Sequence, residues 1–323
     1  MNMENQKIKI LIDTDPGMGT PGADIDDGVA ILLALASPEV EVVGLATVAG
    51  NVPCDIGSKN AVELMRQIGQ SRIPVAQGCS VPMGRRSELL IQRERGRDFG
   101  PPDLQYRSSL HPLHGVDFLI EMAKESKEPL TIVAIGPLTN LGMAFIKEPL
   151  IVGKIKEIVM MGGGANGGNI TAAAEFNLLN DPEAADVVFR SGVPLTMIGL
   201  DITTSIRIYE PDLAPWRDAS PVVGLLYESA IRWMDYRWKV RGEQDAGCYF
   251  HDAMTVAYLI DRSLFQSKTC HVDIELAGTF TRGMTLVDQR SNSRQSPNVN
   301  LVTQIDGRQF VKMTVERIAS IFG

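Results

Sequence analysis

The sequence predicts an α/β fold: a mostly parallel, Rossmann-like open sheet flanked by helices, with a small antiparallel extension. Two observations predict it. Short apolar, β-branched runs recur through most of the 323 residues, and amphipathic segments of helical period separate them. Strand–helix–strand repetition of this kind is what right-handed crossovers on a parallel sheet produce. A third observation bears on organisation. No linker, tandem repeat or low-complexity block interrupts the pattern, so residues 1–323 read as one domain.

The first strand is expected at 9–12, and a helix begins near Asp26 and stops at Ser37-Pro38, because proline disfavours helix in the residue before it. Further strands are expected at 40–48, 130–135, 155–161 and 195–200, with helical segments at 54–68, 115–124 and 182–191 between them. In the last third, 272–276, 284–287 and 299–305 read as strands around the loop 288–297, and these form the expected antiparallel extension. The longest irregular stretch, 82–110, carries six arginines. A loop of that length in a compact domain is usually functional or mobile.

Composition narrows the class. The chain is 44% hydrophobic and 22% charged with a formal net charge of −8, which argues against nucleic acid or an anionic membrane as partner. The four cysteines are scattered without a CxxC pair, a pattern that fits reduced thiols in a cytoplasmic protein. The start MNMENQKIKILI lacks the apolar segment of a secretory signal, and no window is apolar for long enough to span a bilayer.

Two stretches match GxGxxG after a strand, at Gly17–Gly22 and Gly162–Gly167. A pyrophosphate at the first would face Asp13, Asp15, Asp24, Asp26 and Asp27, and like charges in a low-dielectric cleft repel strongly. The second leads into Asn169 and Glu175 rather than a helix start. Neither reads as a dinucleotide fingerprint. His114-Gly115 precedes the helical run VDFLIEMAK and reads as a helix entry.

The stretch Leu11–Asp27, LIDTDPGMGTPGADIDD, holds five aspartates and no basic residue. Helix capping by Asp24 or Asp26 accounts for one or two of them, and not for Asp13 and Asp15 at a strand end. An all-oxygen, cysteine-free set at the carboxyl ends of parallel strands suits a hard cation, Ca²⁺ or Mg²⁺. Other strand ends add Asn51, Asn140, Asn169, Glu175 and Asn177, and His251-Asp252 opens an apolar helix.

In these motifs the sequence resembles the inosine-uridine-type nucleoside hydrolases. The matching segments are DTDPG…DD at 13–27, VAGN at 48–51, GPLTN at 136–140, VMMGGG, GGN and AEFN…NDPEAA across 159–185, MIGLDIT at 197–203, HDA at 251–253 and GMTLVD at 283–288. They run in order along almost the whole chain. The resemblance implies a bound Ca²⁺ and hydrolysis of the N-glycosidic bond of ribonucleosides, in a homodimer or homotetramer. It makes Asp15, Asp27 and Asp252 the calcium carboxylates, joined by the backbone carbonyl of Ile135. Asp15 is implied to be the general base for a calcium-bound water. Asp26 and Asn51 are implied to reach the ribose 2′ and 3′ hydroxyls or the water. Asn169, Glu175 and Asn177 hold ribose hydroxyls, Met161 lines the pocket, and His251 is a candidate proton donor to the leaving base.

Two departures from the family pattern stand out. One residue separates DPG from DD in that pattern, whereas eight intervene here, Met18–Ile25. The usual HGxxG loop is absent, and the corresponding stretch Arg95–Pro102 contains no histidine, which points to Arg95, Arg97 or Phe99 forming that wall. Trp233, Tyr236, Trp238 and Tyr249 are suited to stacking on a base, with core packing favoured for Trp233 and Tyr236. Two other readings compete: a DxD phosphohydrolase built on Asp13-Thr-Asp15, which lacks the lysine such enzymes need, and a metal-stabilised nucleoside- or sugar-binding protein without turnover.

Overall fold

The computed structural model describes residues 7–18, 20, 23–84, 105–240, 242–245 and 247–321. Most of 82–110, including Arg95, Arg97 and Phe99, lies outside the described residues.

Ten strands are present among these residues: β1 (Ile8–Thr14), β2 (Val40–Thr47), β3 (Val75–Gln77), β4 (Leu130–Ala134), β5 (Ile155–Met161), β6 (Leu195–Ile198), β7 (Phe265–Cys270), β8 (Val272–Ile274), β9 (Thr285–Val287) and β10 (Val299–Ile305). The main sheet has the order β3-β2-β1-β4-β5-β6-β10-β7, and β8 and β9 form a separate antiparallel pair. Every pairing in the main sheet is parallel except β10 with β7. One expectation needs correcting here. The 299–305 strand belongs to the main sheet, between β6 and β7, and the extension consists of β8 and β9 alone.

Alternation along the strands explains the two cores. Ile10, Ile12, Val133 and Val159 face one apolar cluster, and Leu11, Ile132, Ile158 and Met160 face the other, as period-two side chains on a doubly covered sheet must. The helices Asp26–Leu35, Pro221–Lys239, Ala253–Ile260 and Gly307–Ile321 cover the first face. Gly115–Glu125, Thr139–Lys147 and Pro182–Phe189 cover the second.

The helix Asp26–Leu35 is sandwiched between the sheet and the helix Ala253–Ile260, and all its residues from Asp26 to Ala34 are buried. Its apolar sequence DDGVAILLAL has no solvent face to spare, so two carboxylates in its first turn are carried into the interior. At β1 the strand order reverses, with β2 on one side and β4 on the other. In open α/β sheets ligands bind outside the strand carboxyl ends at such a switch point.

Candidate active site

The carboxyl ends of β1, β2, β4 and β5 deliver the site. Asp15 follows β1, Asn51 follows β2, Ile135 follows β4, and Met161 ends β5. Asp15 is wholly buried. Its backbone N–H donates to Asp27 Oδ1 (3.0 Å), and its Oδ2 accepts from the Asn51 N–H (2.6 Å). Thr14 Oγ1 also donates to Asp27 Oδ1 (2.5 Å), and Asn51 Nδ2 to Asp27 Oδ2 (3.2 Å). Asp15 Oδ1 has no hydrogen-bond partner among the described residues. Gly50 is required where it stands, because a Cβ there would lie 1.9 Å from Asp15 Oδ2.

Asp252 arrives from far along the chain. Antiparallel bonds between Ile208 and Cys248 (2.8 and 2.9 Å) fix the approach, and buried Phe250 stacks on Trp216 at 5.5 Å. Asp26, Asp27 and Asp252 each place a carboxylate oxygen within 4.8 Å of the others. All three are buried, at 4%, 0% and 3% exposure. Capping does not explain them. Ile25 occupies the N-cap of the helix Asp26–Leu35, and no side chain caps it.

Burial pushes the Asp15, Asp26 and Asp252 carboxyls well above the ordinary range, and their mutual repulsion adds to it: Asp27 acts on Asp15, Asp24 and Asp27 on Asp26, and Asp26 and Asp27 on Asp252. Asp27 is raised by burial against the opposing pull of Thr14 and the Asp15 N–H. Such a group is stable in ionised form only with positive charge among it. Three buried oxygen donors and an unpartnered buried Asp15 oxygen fit a hard divalent cation.

Above this acidic floor opens a cavity at the carboxyl ends of the strands. Asp26, Asn51, Ile135, Met161, Asn169, Glu175, Asn177, His251 and Asp252 line it, while Asp15 and Asp27 lie beneath. One wall is the segment after β5. Gly163 sits at φ +70°, a conformation that favours glycine, and its N–H donates to Glu175 Oε2 (2.9 Å). Glu175 caps the short helix Phe176–Asn180, accepting from Asn177 N (2.9 Å) and Leu178 N (3.2 Å). Burial raises its pKa and these backbone donors oppose the rise. Asn177 Nδ2 donates to the carbonyls of Ile135 (3.1 Å) and Met161 (3.2 Å). Asn169, exposed at the rim, accepts from Phe176 N (3.0 Å). From β9, Thr285 Oγ1 accepts from Gly164 N (3.0 Å) and donates to its carbonyl (2.6 Å), clamping the turn from behind.

Trp233, Arg237, Glu243, Tyr249 and His251 also line the cavity. Arg237 Nε donates to Glu243 Oε2 (2.9 Å) and its guanidinium lies 4.8 Å from the Tyr249 ring centre. His251 Nδ1 pairs with Thr203 Oγ1 at 2.8 Å. Burial, reinforced by Arg237, pushes His251 down to about 4, so its imidazole is neutral at pH 7. Arg237 had no sequence signal beyond helical spacing, and Glu243, in the segment after that helix, had none. Trp233 is both buried, stacked with Tyr236 at 5.6 Å, and part of the cavity wall, whereas Trp238 is exposed. Asp13 stays out of the cavity. Its Oδ1 accepts from Asn140 Nδ2 (2.7 Å), and burial lifts its pKa to about 7. His114 is the helix entry expected of it, its Nδ1 accepting from Val116 N (3.3 Å).

A switch-point cavity with an acidic floor and a polar wall of amides and a carboxylate fits a metal-assisted hydrolase of the α/β type acting on a small polar substrate. The chain belongs to the inosine-uridine preferring nucleoside hydrolase family, whose model matches residues 10–312. It is a nucleoside hydrolase. The pyrimidine-specific ribonucleoside hydrolase RihA of Photobacterium profundum is 37% identical over 320 residues, covering 96% of this chain and 98% of that protein. RihA of Escherichia coli is 35% identical over 316 residues, with 96% and 98% covered. Among solved structures, a purine-preferring ribonucleoside hydrolase from Gardnerella vaginalis superposes with a TM-score of 0.83 at 30% identity, covering 96% of this chain and 98% of its own. Relatives of opposite base preference share the fold, so the fold alone does not set the base.

Proposed function

We propose that the protein hydrolyses the N-glycosidic bond of pyrimidine ribonucleosides, using a bound divalent cation, Ca²⁺. The observation that carries the reading is the buried group Asp26, Asp27 and Asp252 under a cavity walled by Glu175 and Asn177. Similarity to the two RihA proteins supports the pyrimidine preference.

Asp27 and Asp252 would hold the cation with Asp15 and the Ile135 carbonyl, while Asp26, which lines the cavity, faces the ribose together with Asn51. When bound, the cation would keep the carboxylates ionised and make adjacent water more acidic. Asp15 takes the proton of the attacking water, its Oδ1 having no partner among the described residues. Cleavage makes the sugar positive and the base negative. Glu175, Asp26 and the oxygen of Asn177 favour the developing positive charge, and the hydroxyl contacts fix orientation. Neutral His251, facing the base side beside Tyr249, offers a ring nitrogen to the leaving base. A site paired to the 2′ hydroxyl rejects 2′-deoxyribosides strongly. Among the described residues, no helix is long and apolar enough to cross a membrane. The free cysteines support a cytoplasmic setting, and exposed Met143, Ile146 and Leu150 on adjoining helical segments support assembly into a homo-oligomer.

The test is ribose release from uridine, cytidine and inosine, with and without a chelator, in wild type and Asp15→Asn. Release from the pyrimidine nucleosides, lost on calcium removal and in Asp15→Asn, is the expected result. Activity that survives thorough calcium removal sinks the metal role, and near-normal Asp15→Asn turnover removes Asp15 as base.

A further inference from the structure

Thr203 is wholly buried in the helical turn Leu200–Thr203 that follows β6, and its Oγ1 pairs with His251 Nδ1 at 2.8 Å. That pair can form in two ways. A neutral imidazole has one N–H and one lone pair, so either Nδ1–H donates to the threonine or the hydroxyl donates to Nδ1. The two arrangements present opposite atoms on the other edge of the ring. Nε2 carries a bare lone pair in the first and an N–H in the second.

The surroundings of Thr203 decide between them. A hydroxyl in a helical turn can point back to the carbonyl three or four residues earlier. The next two residues do this: Thr204 Oγ1 donates to the Leu200 carbonyl and Ser205 Oγ to the Ile202 carbonyl, both at 2.6 Å. For Thr203 both such carbonyls are full. That of Gly199 accepts from Ile202 N (3.0 Å) and Thr203 N (3.1 Å), and that of Leu200 accepts from Thr204 N (3.0 Å) and Thr204 Oγ1. Among the described residues, Thr203 Oγ1 therefore has His251 alone as a partner. If it accepted there, its own hydrogen would be buried without an acceptor, which is costly. Donation to Nδ1 satisfies both groups and leaves the ring hydrogen on Nε2. Nε2 makes no hydrogen bond among the described residues, and part-exposed His251 lines the cavity. Tyr249 packs on the ring with centres 5.2 Å apart, and an N–H of Arg207 holds its Oη, so the imidazole is braced on a face as well as an edge. A base leaving with negative charge is stabilised by an N–H and repelled by a lone pair.

We propose that Thr203 is a positioning residue: its hydroxyl donates to His251 Nδ1 and so sets the tautomer whose Nε2–H serves the departing base. The inference rests on the nucleoside hydrolase reading above. Neutron diffraction from the deuterated wild-type protein should show deuterium on Nε2 of His251 and none on Nδ1. A kinetic test compares kcat/KM for uridine with that for p-nitrophenyl riboside, whose nitrophenolate leaves as a stable anion without a donor. Thr203→Val should lower the uridine value about 10–100-fold, as loss of one hydrogen bond to a developing charge does. The same variant should stay within about threefold of wild type on p-nitrophenyl riboside, and Thr203→Ser within about threefold on both. In a His251→Ala background Thr203→Val should cost nothing more, because it acts through the ring. Deuterium on Nδ1, equal loss on both substrates, or additive loss in the double variant overturns the proposal. A wild type that releases ribose from neither substrate overturns the functional reading instead, and the diffraction result still decides the tautomer.

Discussion

Gly50→Ala tests the Asp15 geometry without touching a carboxylate. The added methyl would sit 1.9 Å from Asp15 Oδ2 and 2.8 Å from Pro137 Cδ. Carbon and oxygen normally meet no closer than about 3.4 Å, so the clash is ~1.5 Å deep. Asp15 has little room to yield. Its Oδ2 is held by Asn51 N at 2.6 Å, and a Cβ position on Gly136 lies 3.0 Å from its Oδ1 on the other flank. The carboxylate must move by about 1 Å, a misplacement that can lower turnover about 100-fold. Overpacking should also destabilise the fold by roughly 1–3 kcal/mol. The assay is kcat for ribose release from a ribonucleoside, with circular dichroism to establish that the variant folds. A folded Gly50→Ala enzyme within about threefold of wild type would refute the assignment of Asp15 to the reacting centre.

Asp13→Asn should become more stabilising, relative to wild type, as pH rises. Asp13 moves from 3.8 to about 7 on folding, so the native state keeps a proton that the unfolded chain has lost. Wild-type stability from this group is therefore complete below pH 3.8, falls as pH rises toward 7, and is lower by about 4 kcal/mol above that window. The asparagine does not titrate, and the gap in urea midpoint between the two proteins, measured in chelator at pH 5 and 8, should widen at pH 8; a constant gap contradicts the burial argument. Thr285→Val removes both bonds to Gly164 and leaves its N–H and carbonyl buried without partners. We expect roughly 2–4 kcal/mol of destabilisation and a raised KM through loss of the Gly163–Glu175 wall, with Thr285→Ser near wild type; a valine variant with normal KM would separate the clamp from the site.

The sequence carried the strands that alternate or run apolar, such as 155–161 and 299–305, and the acidic, amide and glycine motifs at their ends. It did not carry β3, three residues long, or β7, whose FQSKTC has four consecutive exposed positions and lacks a core-facing pattern. The strand 299–305 lies between β6 and β7, and its antiparallel pairing with β7 was hidden for the same reason. Within the site, the acidic stretch named Asp26 and Asp27, and the family resemblance added Asp252 with Asp15 and Asp27 as the metal set; neither said that Asp26, Asp27 and Asp252 place carboxylate oxygens within 4.8 Å of one another. Arg237 depends on which helical face turns inward, and Glu243 on the path of the segment after that helix. That is settled by packing against distant segments, and local period is silent on it.

Asp27 and Asp252 stand near opposite ends of the sequence, joined in space by the packing of the helix Asp26–Leu35 against Ala253–Ile260. A cation held between them would act as a clasp on a very long chain closure, which forms late because non-local contacts must wait for the segments between them. Ion uptake would then report that the last third of the chain has docked. A molecule whose last third had not docked would lack Asp252, and metal content would distinguish finished protein from unfinished.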